Sequence, residues 1–314
     1  MRTLFFGAGP LGSLYAHLFH QSGADVTILA RGARHDWLQK NGLVLVNEVT
    51  GEQGASPVNV VKDLKPDDEY DLVIVLIRKN KLLPVFEILA ARPGAKNVLF
   101  MGNNALGFDE YLKHLPAERL LFGFPGAGGG IREQVVRYAD REKPKGSRRP
   151  VTIGGIDRGN GERASLVKSL FEAAGVPVDL TADMDGWLKD HVALVTPLVG
   201  ALYKHDCDNN RAAKDRNTLR TIVRATKEGG RVVRALGFKK RQPFQLNLFY
   251  WLPESLIVMA VKQLLQSKFA EVAFAMHAKA ARDEMGTLAR EFQELTARTS
   301  VATPNIDALR NFIV

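Results

Sequence analysis

Apolar and polar positions along the first half of the chain predict strands and helices in turn. Short continuous apolar runs predict buried strands, and segments with helical periodicity lie between them. We predict the main strands at Thr3–Phe6, Asp25–Ala30, Leu72–Ile77, Asn97–Phe100 and Leu120–Phe124. Strands that are apolar throughout are typical of a parallel sheet covered on both faces. The pattern therefore predicts a Rossmann-type, doubly wound α/β unit.

Weaker patterns predict accessory strands around this sheet. Leu43–Val46 and Pro57–Val61 are interpreted as a short accessory hairpin. Val135–Ala139 and Pro150–Ile156 are expected to extend the main sheet as an antiparallel edge.

The pattern becomes purely helical after Thr181. Helical periodicity is present in four segments, which are Trp187–Leu202, Thr218–Leu236, Glu254–Leu265 and a long stretch at Lys268–Ala297. We therefore predict an α/β domain over residues 1–182 and an all-helical domain over residues 183–314. The cleft between two such domains is the default position for an active site.

Composition narrows the class of protein. Of 314 residues, 46% are hydrophobic and 25% are charged, which is ordinary for a globular protein. A single cysteine, Cys207, rules out an intrachain disulfide and fits a reducing cytoplasm. The chain begins on a strand rather than an apolar leader, and its apolar runs are too short to span a bilayer. We therefore expect a cytoplasmic protein with no membrane partner.

The formal net charge of +9 comes in part from a basic segment at Arg141–Arg149. Such a segment could bind phosphate or nucleic acid. No aromatic residues interleave with its cations, and no nucleic-acid motif accompanies it. This favours a solvated loop and no nucleic-acid partner.

The most informative segment is Gly7-Ala8-Gly9-Pro10-Leu11-Gly12, which follows the first strand and opens a helix. In G-x-G-x-x-G, the three glycines permit a tight turn, a close pyrophosphate and close helix–strand packing, respectively. Pro10 suits the first helical turn, where its missing N–H costs nothing. The alternative is a glycine turn in an α/β domain that binds no nucleotide.

Arg31 stands at the end of the second strand, where NAD-binding units usually place a carboxylate for the ribose 2′-hydroxyl. It is followed by Gly32 and Arg34. A guanidinium there would bind a 2′-phosphate through two hydrogen bonds. We therefore predict NADP(H) rather than NAD(H) as the cofactor, held by Gly7–Gly12 and Arg31.

With the opening Gly7–Leu18 and the following Val26–Gly32, the chain resembles the ketopantoate reductases (2-dehydropantoate 2-reductases). The resemblance implies that NADPH delivers a hydride to the 2-keto carbon of a 2-oxoacid substrate. For ketopantoate the product is pantoate, on the route to pantothenate and coenzyme A.

The resemblance also implies a catalytic lysine. The family has a Trp-x-Lys motif at the start of the first helix of its C-terminal domain, and Trp187-Leu188-Lys189 matches it. Reduction of a ketone creates an alkoxide that must be protonated. A lysine beside the carbonyl can also stabilise the developing negative charge.

Three further residues are implied by the same resemblance. Asn104 matches a family asparagine that follows a sheet strand, although Ala105 replaces the usual glycine. Glu284 lies about twenty residues before Thr303-Pro304, in the register of a family glutamate that binds substrate. Arg78 ends the Leu72–Ile77 strand, where the family tends to have a lysine near the cofactor.

The match departs from the family beyond Lys189. Ala193 stands where the family usually has an asparagine, and Pro197 arrives one residue early. His191 could substitute as an acid, and Thr196, on the same helix face as Lys189, could bind a substrate hydroxyl. His277 could line the cleft.

These departures leave alternatives open. One is a related NADP-dependent reductase of a different 2-oxoacid. Another is a non-catalytic NADP(H)-binding regulator, because a fold does not fix a function. The helical domain could also support a homodimer. We expect no metal site, because no His, Cys and Asp cluster has the spacing of metal ligands.

Overall fold

The computed structural model describes residues 1–156 and 161–313. It divides the chain into two compact units. The first comprises Met1–Gly102 and Phe108–Met184, and the second comprises Asn103–Gly107 and the chain from Asp185 onward. The short segment Asn103–Gly107 thus groups with residues far from it in sequence.

Within the described residues, twelve strands lie in the first unit. In chain order they are β1 Arg2–Phe6, β2 Asp25–Leu29, β3 Leu43–Asn47, β4 Gln53–Ser56, β5 Asn59–Val61, β6 Leu72–Val75, β7 Val98–Met101, β8 Leu120–Phe124, β9 Gly128–Arg132, β10 Val135–Ala139, β11 Val151–Gly154 and β12 Val178–Leu180.

Among the residues that the structure describes, the main sheet has eight strands in the order β12-β11-β8-β7-β6-β1-β2-β5. Neighbouring strands are parallel except for β8 and β11, which are antiparallel. The strand order reverses direction next to β1, and ligands bind open α/β sheets at the carboxyl ends of strands near such a point. The predicted doubly wound α/β unit is confirmed.

Two of the accessory predictions are wrong. Leu43–Val46 does form a hairpin strand, but its partner is β4, whereas β5 within Pro57–Val61 joins the main sheet beside β2. Val135–Ala139 is not an edge of the main sheet, because it lies in a second sheet of order β4-β3-β10-β9. A short strand of mixed burial can pair with more than one sheet edge. Hydrophobic periodicity alone therefore does not determine which sheet such a strand joins.

In the part of the first unit that the structure describes, there are five α-helices: α1 Pro10–Gln21, α2 Gly32–Asn41, α3 Leu83–Ala90, α4 Asp109–Leu112 and α5 Gly161–Ala173. Helix α1 is anchored to the sheet and to α5 through edge-to-face ring contacts. Phe19 lies 5.3 Å from Phe5 on β1 and 5.0 Å from Phe171 on α5. These contacts hold the C-terminal part of α1 against β1 and α5.

Up to residue 313, where the described chain ends, nine further α-helices follow: α6 Met184–Lys204, α7 Asn209–Lys214, α8 Arg216–Ala235, α9 Leu248–Trp251, α10 Glu254–Leu265, α11 Lys268–Ala270, α12 Met276–Ala280, α13 Arg282–Ala297 and α14 Pro304–Arg310. The predicted all-helical region is confirmed. The predicted single stretch Lys268–Ala297 is divided, because a π-helical turn occupies Glu271–Ala275 and Ala281 leaves helical geometry. Within the described residues, no helix is long and apolar enough to cross a membrane.

Candidate functional site

The glycine loop lies at the carboxyl end of β1, where it leads into α1. Gly7 has φ +118°, and a Cβ added there would lie 2.9 Å from the Leu76 carbonyl oxygen. A Cβ at Gly12 would lie 1.9 Å from the Gly7 carbonyl oxygen. Both positions therefore require glycine. A Cβ at Gly9 would meet nothing within 4 Å, which leaves open space beside the loop.

The start of α1 faces that space. Gly9 is the N-cap residue, Pro10 is the first helical residue, and no side chain within the described part of the chain caps this end. Ala8 and Leu11 pack partly against the core. The backbone N–H groups at an uncapped helix start bind anions, since the helix dipole adds positive potential there. The loop has the geometry of a phosphate site.

Two arginines flank this loop in different ways. Arg31 lies between β2 and α2, where it is the N-cap residue of α2, and its side chain is 54% exposed. It donates to the Lys62 carbonyl at 3.4 Å and lies 3.7 Å from the Asp63 carboxylate. Arg34, in the first turn of α2, contacts the loop itself through the Ala8 carbonyl. Arg31 is therefore the guanidinium that can reach out to a ligand.

Arg78 follows β6 at the same sheet edge and is half-buried. The residues just before it, Leu76 and Ile77, are those that a Cβ at Gly7 would strike. Arg78 therefore directly follows the two residues that pack against the glycine loop at Gly7.

A second group of charged side chains lies in the helical unit, at the start of α6. Lys189 is only 5% exposed. Its ammonium donates a short hydrogen bond to Asp185, one turn earlier on the helix. The Phe238 ring centre lies 4.9 Å from the same Nζ atom. A buried ammonium is costly without a partner, and Asp185 and the ring supply two.

The segment Asn103–Gly107 lies against this lysine. Gly107 has φ +85°, and a Cβ there would lie 3.5 Å from Lys189 Nζ. The Asn104 amide donates to the Gly107 carbonyl at 2.6 Å and so closes the turn. Asn104 is 2% exposed. This side chain fixes the shape of the segment beside Lys189.

The same segment also contacts two carboxylates of α13. Asn103 Nδ2 lies 3.5 Å from Glu284 Oε1, and the Ala105 backbone N–H donates to Glu291 at 3.3 Å. Glu284 is 3% exposed, and His277 Nε2 lies 3.8 Å from its other oxygen. The segment Asn103–Gly107 therefore contacts α13 through Asn103 and Ala105 and lies beside the lysine of α6 at Gly107.

A buried ion pair fixes the turn of α6 that follows Lys189. Asp190 is 1% exposed, accepts from Arg234 at 2.6 Å and accepts from the Gln242 backbone N–H at 2.9 Å. Burial raises the pKa of the Asp190 carboxyl, and the hydrogen bond from Arg234 opposes that rise. Removal of one partner would leave the other charge buried alone.

The sequence left three further residues as possible contributors to the substrate site, which are His191, Thr196 and His277. The His191 ring stacks on Trp187 at 5.3 Å, on the side of α6 away from the Lys189–Asp185 contact. The Thr196 hydroxyl donates to the Val192 carbonyl at 2.8 Å, so its proton is already used within the helix. The third, His277, lies 3.8 Å from the Glu284 carboxylate.

Sequence reasoning did not single out Asp185, Asn103 or Glu291. Asp185 could have been found, since a carboxylate four residues before a lysine predicts a pair on one helix face. Asn103 and Glu291 have no local signal, because their contacts join residues more than 180 positions apart. Within residues 1–156 and 161–313, no group of three or more His, Cys, Asp or Glu side chains could hold a metal ion.

The fold and the two sites define a Rossmann-type dinucleotide-binding architecture joined to an all-helical unit. The family model "Ketopantoate reductase PanE/ApbA" matches residues 3–143. The 2-dehydropantoate 2-reductase of Pyrococcus horikoshii is 26% identical over 249 residues, which cover 76% of this chain and 75% of that protein. The predicted resemblance to the ketopantoate reductase family is therefore confirmed.

Solved structures share the whole fold. The 2-dehydropantoate 2-reductase from Geobacter metallireducens superposes with a TM-score of 0.79 at 20% identity, covering 100% of this chain and 99% of that one. A D-mandelate dehydrogenase bound to NADH and anilino(oxo)acetate gives a TM-score of 0.79 at 16% identity, covering 100% and 97%. At such identities the likeness shows the fold alone.

Proposed function

We propose that this chain is an NADP(H)-dependent oxidoreductase acting on CH–OH groups, and that it reduces 2-dehydropantoate to pantoate in pantothenate and coenzyme A biosynthesis. The observation that carries the proposal is the buried Lys189 ammonium, held by Asp185 and contacted by the Asn103–Gly107 segment. The activity named for the Pyrococcus horikoshii relative supports the same reaction.

The first unit fits a dinucleotide. Gly9 leaves space for a pyrophosphate, and the uncapped start of α1 offers it backbone N–H donors. Arg31 is exposed, and its contacts within the described residues are a carbonyl and a surface carboxylate, which a 2′-phosphate can displace. Arg78 adds a second cation at the carboxyl edge of the sheet. When bound, NADPH supplies the hydride.

Lys189 supports the chemical step. Its ammonium donates a hydrogen bond to the substrate carbonyl oxygen, stabilises negative charge as it develops there and transfers a proton to the alkoxide. Asp185, on the preceding turn, accepts a hydrogen bond from the ammonium and so orients it. The Asn104 amide donates to the Gly107 carbonyl and keeps the Asn103–Gly107 turn closed. The closed turn lies beside Lys189 Nζ and limits where this atom can move.

Glu284 and Asn103 bind the hydroxyl end of the substrate. A carboxylate accepts a hydrogen bond from a substrate hydroxyl such as that of ketopantoate, and the Asn103 amide holds the carboxylate in place at 3.5 Å. The Asn103 Oδ1 atom is buried with no hydrogen-bond partner among the described residues. A substrate hydroxyl would satisfy it.

A second candidate is the reduction of a 2-oxoacid with an apolar side chain. The Phe238 ring lies 4.9 Å from Lys189 Nζ. Ala193, where the resemblance implies an asparagine, is part of the apolar core, and Thr196 donates its proton to its own helix. These groups offer contacts to hydrocarbon rather than to hydroxyl groups.

The test is NADPH oxidation by the purified protein with ketopantoate, 2-oxoisovalerate, pyruvate and phenylglyoxylate. The proposal predicts turnover with the highest kcat/KM for ketopantoate. A higher value for phenylglyoxylate or 2-oxoisovalerate would favour the apolar substrate class instead. Tight NADPH binding with no oxidation on any of the four would favour a regulator.

We also propose that the protein is a cytoplasmic homodimer. Six large apolar side chains between residues 244 and 259 are exposed in the helical unit: Phe244, Leu248, Trp251, Leu252, Leu256 and Met259. Contiguous apolar surface is typical of an interface. Light scattering should give a dimer mass for the wild type and a monomer mass for Trp251→Glu. A monomeric wild type at micromolar concentration would contradict the proposal.

A further inference from the structure

Arg34 is a partly buried arginine whose guanidinium is bound at several points beside the glycine loop. Its Nε donates to the Ala8 carbonyl at 3.3 Å, and its Nη2 donates to the Ser13 hydroxyl at 3.2 Å. Its Nη1 donates to the Gln134 carbonyl at 2.6 Å, and the guanidinium lies 5.4 Å from the Trp37 ring. All of these partners belong to the first unit.

The partners come from three different elements. Ala8 follows β1, Ser13 lies in α1, and Gln134 lies in the turn between β9 and β10 of the second sheet. Glu133 and Gln134 have φ +52° and +64°, so this turn is tight and presents its carbonyl in one direction. Arg34 therefore ties the glycine loop to the tip of the β9–β10 hairpin.

The Ala8 carbonyl is held from two sides. Besides Arg34, the Ser13 hydroxyl donates to it at 3.2 Å. The Ala8–Gly9 peptide is planar and trans, so its carbonyl and its N–H point in opposite directions. Fixing the carbonyl toward Arg34 therefore fixes the Gly9 N–H toward the open side of the loop, where a pyrophosphate would bind.

We propose that Arg34 is a positioning residue that orders the glycine loop for the pyrophosphate, and that it acts equally on NADPH and NADH. This proposal rests on the dinucleotide binding proposed above. All three nitrogens of Arg34 are bound to protein acceptors, whereas Arg31 is exposed with contacts at 3.4 and 3.7 Å. Arg31 thus sets the preference between the two dinucleotides, and Arg34 sets the affinity for both.

The experiment compares four variants of the full chain: Arg34→Ala, Arg34→Lys, Arg31→Ala and Arg119→Ala. Arg119 is the matched control, because it is also a half-buried arginine that donates to backbone carbonyls, at 2.9 Å to Ala95 and 3.1 Å to Leu89. The dissociation constants for NADPH and NADH are measured by fluorescence titration, and Tm is measured on the same samples.

We expect Arg34→Ala to raise both dissociation constants by a similar factor of about ten, since bonds from a charged donor to the loop are lost. Arg31→Ala should raise the NADPH constant alone. Arg119→Ala should lower Tm without changing either constant. Arg34→Lys keeps the charge but cannot reach three acceptors, so it should rescue binding only in part.

Two outcomes would overturn the proposal. One is an increase for Arg34→Ala no larger than that for Arg119→Ala at the same loss of Tm. The other is a selective loss of NADPH affinity, which would make Arg34 a 2′-phosphate ligand. If Arg34→Ala does not fold, the same comparison is made with Arg34→Lys. Wild-type binding is measured first. A wild type that binds dinucleotide but reduces no 2-oxoacid contradicts the proposed function and leaves this proposal standing.

Discussion

The starts of helices α1 and α8 differ in a way that separates the two units. In the first unit, the N-cap residue of α1 is Gly9, and no side chain within the described residues caps this helix. In the second, the N-cap residue of α8 is Asp215, whose carboxylate accepts from the backbone N–H groups of Asn217 and Thr218 at 2.9 and 3.0 Å. One helix leaves its donors open for an external anion, and the other satisfies them internally.

The sites differ accordingly. The proposed dinucleotide site is made largely of consecutive backbone groups, Gly7–Gly12, supplemented by side chains on neighbouring turns. The site around Lys189 is made of side chains from three separate segments, at residues 103–107, 185–189 and 284–291. Variants of the first site should therefore change cofactor binding, and variants of the second should change turnover.

The largest effect is expected for Lys189→Ala. Loss of the proton donor should lower kcat by about 10²- to 10⁴-fold, because no other ammonium contacts Asp185 in the described residues. The dissociation constant for NADPH should stay within about twofold of the wild type. Steady-state kinetics and fluorescence titration measure the two quantities.

Lys279→Ala is the matched control, because Lys279 is an exposed lysine of the same unit. It should leave kcat unchanged. Turnover by Lys189→Ala at the wild-type rate would remove Lys189 from the mechanism.

The next largest effect is expected for Glu284→Ala. Loss of a buried carboxylate that binds substrate should lower kcat/KM by about 10- to 100-fold, equivalent to a hydrogen bond to a charged group of about 1.5–3 kcal/mol. Glu294→Ala, at an exposed position of the same helix, should have no effect. Equal kinetics for both variants would place the substrate elsewhere.

A pair of glycine variants separates folding from binding in the first unit. Gly12→Ala places a Cβ 1.9 Å from the Gly7 carbonyl oxygen, so it should destabilise the cofactor-free protein by about 1–3 kcal/mol. Gly9→Ala meets nothing within 4 Å and has φ −69°, so its stability should change by less than about 0.5 kcal/mol. Its NADPH affinity should fall. Urea unfolding and titration distinguish the two, and equal stability of both variants would contradict the close packing at Gly12.

The smallest effect is expected at the cap of α8. Asp215→Ala should cost about 1 kcal/mol, whereas Asp215→Asn keeps a side-chain cap and should cost less. The hydrogen bond from the Thr218 hydroxyl lowers the pKa of Asp215, although burial opposes it; the Thr218 backbone N–H and Lys204 lower it further. A folded-state pKa below the unfolded one stabilises the fold above the unfolded value of about 4.

This stabilisation should disappear as the pH falls below about 4 toward the folded-state pKa. Urea unfolding should therefore show the difference between wild type and Asp215→Asn shrinking in acid. A difference that stays constant with pH would mean that the charge of Asp215 does not contribute.

Features built from consecutive residues were predictable from the sequence, and features built from distant segments were not. The glycine loop, the main strands and the position of Lys189 at the start of α6 have local signals, because turn geometry and periodicity are set by neighbouring residues. The sheet to which Val135–Ala139 belongs was predicted wrongly, since short strands fit more than one edge. The break at Ala281 was also missed, although it separates His277 from Glu284.

The site around Lys189 was predictable only in part. Trp187-Leu188-Lys189 and Glu284 were identified through resemblance, and Asp185 lies one turn from the lysine. The contact of Asn103 with Glu284 joins two residues 181 positions apart, and no pattern along the chain encodes such a distance. Tertiary packing decides it.

The most direct test of the account is a titration of the wild-type protein with NADPH and with NADH at the same ionic strength. If Arg31 binds a 2′-phosphate through charge-assisted hydrogen bonds, NADPH should bind about 10- to 100-fold more tightly than NADH. Equal affinity, or tighter binding of NADH, would contradict the account.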